Sequence, residues 1–249
     1  MLRSNRLHFW VILTFLGCFL AGATPGPAWG AEPVDVWAGP TNQKAVALTF
    51  DDGPSPVYTP KIMALFKKYQ AHSTFFVMGH RVEQYPGLVQ ALIKAGHEVG
   101  NHSFNHPRFT EIAQPSREQE LERTAVDLNL LGCPPSQRLF RPPYSAYDER
   151  LKTYLAHTHR RLVLWSLDSG DWRGLAAPAI IENVLSRVRN GSIIIFHDSD
   201  ENALADRHPT VEALSIILPA LKAAGYRLVT VSELLSGHGS PCLPRKAKD

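Results

Sequence analysis

An α/β fold with parallel strands is the architecture the chain predicts, on three observations. Short apolar runs alternate with segments of helical periodicity about seven times between residues 45 and 231. Each helical segment is long enough to cross back over a sheet, as parallel neighbours require. The 249 residues, 44% apolar and 20% charged, suffice for one large packed domain. A closed barrel and an open sheet both satisfy this pattern, since each gathers ligands at the carboxyl ends of its strands.

Residues 32 to 44, with Pro33, Gly39 and Pro40, read as an extended lead-in. Ala45 to Phe50 is the first apolar strand, closed by Asp51-Asp52-Gly53-Pro54 as a turn. Thr59 to Tyr69 places Ile62, Leu65, Phe66 and Tyr69 on one helical face. Ser73 to Met78 is a strand; Pro86 to Ala95 is a helix with proline in its first turn and Gly96 at its end. His97 to Asn101 is the third strand. Ser116 opens a helix through a Ser-x-x-Gln capping box and carries it to Leu131, before Gly132. Leu139 to Arg141 is a short strand, Asp148 to His157 a helix, and Leu162 to Leu167 a strand. Pro178 to Arg189 is helical, Ser192 to Phe196 a buried strand, Val211 to Ala224 a helix ended by Gly225, and Tyr226 to Val231 the last strand.

Five polar clusters punctuate this frame. Asp51 and Asp52 are adjacent carboxylates that repel unless a cation or an arginine lies near; a plain strand-ending Asp-Gly turn is the other reading. His102-Ser103-Phe104-Asn105-His106 spaces two imidazoles as one metal can use them. Pro107 disfavours a helix at His106, so the pair sits on a turn, unless both are ordinary surface histidines. Two histidines and one aspartate would leave a catalytic metal an open position. Arg141-Pro142-Pro143-Tyr144 is a rigid turn whose arginine suits a carboxylate, or an ordinary proline-rich loop. Asp168-Ser169-Gly170-Asp171-Trp172 is an acidic loop anchored by tryptophan. His197 and Asp198 end the apolar run from Ile193, where a lone histidine is often only a core-edge residue. Four of the clusters follow predicted strands, and all five could share one rim.

With these residues in order, the chain resembles the polysaccharide deacetylase family, carbohydrate esterase family 4, which carries the NodB homology domain. The family's motifs match Thr49-Phe50-Asp51-Asp52-Gly53, His102 to His106, Arg141 to Tyr144, Asp168 to Trp172 and Ile195-Phe196-His197, across about Val46 to Leu235. Ile195 stands where the family often has leucine. The resemblance implies a distorted (β/α) barrel of about seven parallel strands and a domain over residues 45 to 236. It implies a divalent metal, usually Zn2+ with Co2+ or Ni2+ as substitutes, on Asp52, His102 and His106. It gives Asp51 the role of general base, paired with Arg141, and His197 that of general acid, paired with Asp171. The Tyr144 backbone N–H would bind the oxyanion, and Trp172 and Ile195 would enclose the acetyl methyl. The substrate class is an N-acetylated polysaccharide or oligosaccharide: chitin-like, peptidoglycan or exopolysaccharide. Alternatives are a deformylase or other amidase of the same fold, and a non-catalytic carbohydrate-binding module; the latter would be signalled by loss of Asp51 or His197, and both are present.

The chemistry coheres. An amide is a poor electrophile, so a metal should polarise its carbonyl and acidify water. A carboxylate then takes a proton, and a histidine protonates the leaving amine.

The first 30 residues read as a cleaved export signal: Arg3 and Arg6, an apolar run from Phe9 to Leu20, then small residues. The run is short for a membrane span, so a secreted or periplasmic protein is expected over an anchored one. Cleavage near Ala31 leaves Cys133 and Cys242, expected to pair in an oxidising compartment. Residues 237 to 249 are a solvated tail. The net charge of +3 is a mild excess with no nucleic-acid motif, so nucleic acid is not an expected partner. The protein is expected to be a monomer.

Overall fold

The computed structural model describes residues 34–133 and 139–236. The export signal, the tail and Cys242 lie outside the described residues, and with Cys242 the expected disulfide; Cys133 is buried.

Nine short strands among the described residues form one parallel sheet. They are β1 (Asp35–Val36), β2 (Ala45–Gly53), β3 (Thr74–Val77), β4 (Glu98–Asn101), β5 (Leu139–Phe140), β6 (Arg161–Val163), β7 (Leu167–Asp168), β8 (Ile193–His197) and β9 (Arg227–Leu228). Their order is β1-β6-β5-β4-β3-β2-β8-β7, with β9 pairing β2. The chain runs from β6, next to one end of this path, to β7 at the other end within a few residues. An isolated bridge from Ala38 to Ser192 further joins the ends. The result is a curled, distorted barrel.

Among the described residues, eight α-helices pack around the sheet: α1 (Thr59–Lys68), α2 (Gly79–Gln84), α3 (Pro86–Lys94), α4 (Gln114–Leu130), α5 (Glu149–His157), α6 (Ala177–Leu185), α7 (His208–Ala223) and α8 (Val231–Ser236). Among the described residues no helix is long and apolar enough to cross a membrane.

Several local expectations change. The sheet has two strands more than the alternation shows. One is β1 in the lead-in, which pairs with β6. The other comes from the Leu162–Leu167 run, which splits because it changes neighbours: β6 pairs with β1 and β5, whereas β7 pairs with β8. The capping box at Ser116 does not form. The α4 helix begins at Gln114 with Pro115 in its first turn and no side-chain cap, so Ser116 is already inside it. A true side-chain cap stands at Asp148, which accepts from the Leu151 N–H at 2.9 Å. Helices α2 and α8 have no counterpart in the sequence reading.

Strand β2 runs through the middle and is wholly buried. Its alternation sorts the interior. Val46, Leu48 and Phe50 face the helix layer, where Phe50 stacks on Phe75 and Phe196 at centroid distances of 4.9 and 5.6 Å. Ala45 and Ala47 face inward with Phe76, Val163 and Ile193. Parallel register extends the inner face to Thr49 beside Ile195 and to Asp51 beside His197. Small residues at one end of β2 and polar ones at the other leave the upper end of the barrel for chemistry.

Candidate active site

All five polar clusters converge at the carboxyl ends of β2, β4, β5, β7 and β8. At the centre is Arg141, directly after β5 and fully buried. Its guanidinium stacks over the Phe76 ring at 4.1 Å. It donates to the Val163 and Leu164 carbonyls (both 3.1 Å), to Thr49 Oγ1 (2.8 Å) and to Asp51 Oδ1 (2.7 Å). A charge so far from water needs this full set of acceptors. The arginine therefore holds one Asp51 oxygen and leaves Oδ2 on the rim, 3.9 Å from His102 Nε2.

Asp52 reaches the same rim by a distortion. A regular pleat would send it outward with Phe50. Strand β2 instead slips register against β3 between Asp51 and Gly53, and Asp52 takes a left-handed φ of 71°. Asp52 Oδ1 then lies 3.3 Å from His102 Nε2 and 3.2 Å from His106 Nε2. The strand thus continues through Gly53, where the sequence suggests a turn. The two carboxylates do not diverge as alternation suggests; both face His102, with different partners behind them.

The histidine pair sits on a turn, as Pro107 implies. Ser103 and His106 both have positive φ, at 66° and 63°. Asn101 Oδ1 accepts from the Ser103 N–H at 2.8 Å, and Ser103 Oγ accepts from the His106 N–H at 3.0 Å. The turn is clasped from α4 by Glu120, which accepts the Phe104 and Asn105 N–H groups at 2.8 and 2.6 Å.

The donor set fits a divalent cation. Each imidazole Nδ1 faces an acceptor: the Arg141 carbonyl 2.7 Å from His102, and the Glu201 carboxylate 3.2 Å from His106. Nδ1 therefore carries the proton in both rings and Nε2 presents a lone pair. Asp52 Oδ1 is buried with no hydrogen-bond donor. The ligand atoms of Asp52, His102 and His106 all lie within 4.8 Å of one another. Burial pushes the Asp52 carboxyl up, but with protons in place of a cation on the neighbouring imidazoles their attraction outweighs burial and holds it well below the usual carboxylate range.

On the other flank, the His197 side chain binds Asp171 Oδ1 through Nδ1 at 2.8 Å. Burial pushes the imidazole down, yet Asp171 overrides it and raises His197 to about 9. Burial likewise pushes Asp171 up, and His197 brings it below its usual range.

Together these pairs place a carboxylate, an acceptor-rich cation site and a protonated imidazole around one opening, the requirements of metal-assisted amide hydrolysis. The family model for polysaccharide deacetylase matches residues 38–163. A peptidoglycan-N-acetylglucosamine deacetylase of Bacillus cereus is 39% identical over 203 residues, covering 80% of this chain and 92% of that protein. The chain belongs to the polysaccharide deacetylase family. A chitooligosaccharide deacetylase of Sinorhizobium fredii is 37% identical over 196 residues, covering 75% of this chain and 89% of the relative. The solved structure of a peptidoglycan N-acetylglucosamine deacetylase bound to 4-naphthalen-1-yl-N-oxidanyl-benzamide superposes with a TM-score of 0.77 at 33% identity, over 81% of this chain and 92% of that one. This polysaccharide deacetylase is accordingly a hydrolase of N-acetyl amide bonds. The family-model match ends before Asp171 and His197, whose pairing the geometry shows.

The remaining residues read from sequence are less uniform. Tyr144 has a left-handed backbone (φ 56°) and sets its ring edge against His106 at 4.6 Å between centroids. Ile195 is buried on the inner face. Trp172 stands half out in solvent, its Nε1–H donating to Asp168 Oδ2 at 3.2 Å.

Sequence reasoning misses several supports of this deacetylase site. Thr210 of α7 donates to Asp171 Oδ2 at 3.0 Å, and buried Arg207 donates to the Asp171 carbonyl at 3.2 Å. Asp198 is fully buried, bound by the Thr59 hydroxyl, and pushed up to about 7 by burial and by nearby Asp52. Gly53 is required beside it, because any Cβ there would collide with the Asp198 carboxylate. Of these, Asp198 carries a local signal as the polar residue after His197, and Gly53 as the last residue of the Thr49–Gly53 motif.

Proposed function

We propose that the protein is a secreted or periplasmic, metal-dependent deacetylase of N-acetylglucosamine units, whose domain spans residues 45–236. The observation that carries this reading is the convergence of His102 Nε2 and His106 Nε2 on the buried Asp52 Oδ1. A divalent cation held there, most simply Zn2+ with Co2+ or Ni2+ able to substitute, would polarise the acetyl carbonyl and acidify water. Asp51 takes the proton of the attacking water, with Arg141 fixing its carboxylate. His197 gives a proton to the departing amine, and Asp171 keeps it charged for that purpose. The Tyr144 N–H faces the developing oxyanion, and Ile195 with Trp172 borders the acetyl methyl.

The relatives named above act on peptidoglycan and on chitooligosaccharide. N-acetylglucosamine is the unit these share, which supports it as the group recognised here. The names also favour N-deacetylation over deformylation or a purely binding role. The test is amine release from N-acetylglucosamine oligomers and from peptidoglycan, with and without a chelator. Chelator-sensitive release from either supports the reading; chelator-resistant release, or none, refutes it.

A further inference from the structure

Glu201 belongs to no motif, yet it touches two residues of the site. Its carboxylate accepts from His106 Nδ1 at 3.2 Å and from the Tyr144 hydroxyl. It lies on the segment between β8 and α7, which is tied down on both sides of it. The buried Arg81 side chain donates to the Asp200 carbonyl at 2.8 Å. The buried Arg207 side chain donates to the Ser199 carbonyl at 2.8 Å. Asp200 Oδ1 closes the turn beyond by accepting the Leu204 and Ala205 N–H groups at 2.7 and 3.0 Å. Two buried guanidiniums thus anchor a half-exposed carboxylate over the rim.

We infer that Glu201 is a positioning residue for the metal centre, setting His106 through its Nδ1–H and holding Tyr144 against that ring. An ionised carboxylate only accepts, so His106 must place its proton on Nδ1 and keep Nε2 as the lone-pair donor. His102 receives the same treatment from the Arg141 carbonyl. The difference is that His106 is partly open to solvent and stands on a left-handed turn, so its ring needs an external hold. The same oxygen, Glu201 Oε2, accepts the Tyr144 hydroxyl. One carboxylate thus couples the metal ligand to the residue beside the reacting acetyl group.

This rests on Asp52, His102 and His106 holding the metal, and the experiment separates the two claims. Zn2+ affinity is measured by chelator competition on the full chain, and the Co2+ absorption spectrum is recorded, for wild type, His102→Ala, Glu201→Ala and Glu201→Gln. Wild type should bind one Zn2+, and His102→Ala should lose it; failure here rejects the metal site itself. Glu201→Ala should weaken Zn2+ binding about 10- to 100-fold, the usual effect of losing a histidine's outer partner, and alter the Co2+ spectrum. Glu201→Gln keeps an acceptor oxygen and should recover part of the affinity and the wild-type spectrum. Wild-type affinity and spectrum in Glu201→Ala, or equal losses in both variants, would overturn the inference.

Discussion

Asp171 grips His197 twice: one carboxylate oxygen binds the imidazole Nδ1 at 2.8 Å, and the other accepts the His197 backbone N–H, also at 2.8 Å. Side chain and main chain are thereby fixed by one carboxylate, itself held by Thr210 of α7, while Arg207 just before that helix donates to the Asp171 carbonyl. The proposed acid is thus held by the same residue that ties down the end of β8.

A pH profile tests this pair. His197 is raised to about 9, so the acid form persists through neutral pH and the alkaline limb of kcat/KM reports its loss. Asp51 and Asp52 add to the raise, and a cation on Asp52 subtracts from their part, so the loaded enzyme turns at or below about pH 9. Asp171→Asn removes the largest raising partner and leaves burial, so the limb should move to lower pH. Activity at pH 8 should fall about 100-fold or more. An unmoved limb would separate Asp171 from the acid. The stability sign follows: a folded pKa above the unfolded value of about 6.5 means this ion pair stabilises fully below that pH and ceases to as pH rises through about 9.

The two adjacent aspartates should separate by metal content. Asp51→Asn keeps its shape and an amide oxygen that can still accept from Arg141, beside Thr49, Val163 and Leu164. It should fold, retain Zn2+ and lose about 100- to 10,000-fold in kcat. Asp52→Ala removes the oxygen between the imidazoles and should lose metal affinity, with excess Zn2+ restoring part of the turnover. Metal analysis beside kcat decides it; a metal-free Asp51→Asn with a metal-loaded Asp52→Ala would exchange the roles.

At the opposite end of the barrel, Glu98 is buried and binds Thr74 Oγ1 at 2.9 Å, the Ser232 N–H at 3.1 Å and the Ser232 hydroxyl. It caps α8 from a distant strand, although burial raises its pKa. Glu98→Ala strips these donors of their acceptor and should cost about 2–4 kcal/mol. Thermal unfolding should show the loss while Zn2+ affinity stays as in wild type; an unchanged midpoint would mean α8 holds without the cap.

Export is tested at the N-terminus. Edman or mass analysis of the exported protein should begin near Ala31, and Met1 on that form would reject cleavage.

The sequence by itself determined the alternation of strands and helices, the parallel sheet and the residues of the five clusters. These signals are local: apolar period, a proline in a first turn, a polar residue after an apolar run. It also determined the turn at His106, because Pro107 acts on its immediate neighbour. Only the tertiary structure decided how Asp52 turns inward, since that depends on a register slip against β3. The split of the Leu162–Leu167 run likewise needed both of its sheet neighbours in place. The supporting shell was the least legible part. Glu120, Glu201, Arg207 and Thr210 bind residues 15, 95, 36 and 39 positions away, on elements that meet only when the barrel closes. A hydrogen bond is set by distance in space, and helical crossovers bring such residues together without leaving a periodic trace in the chain.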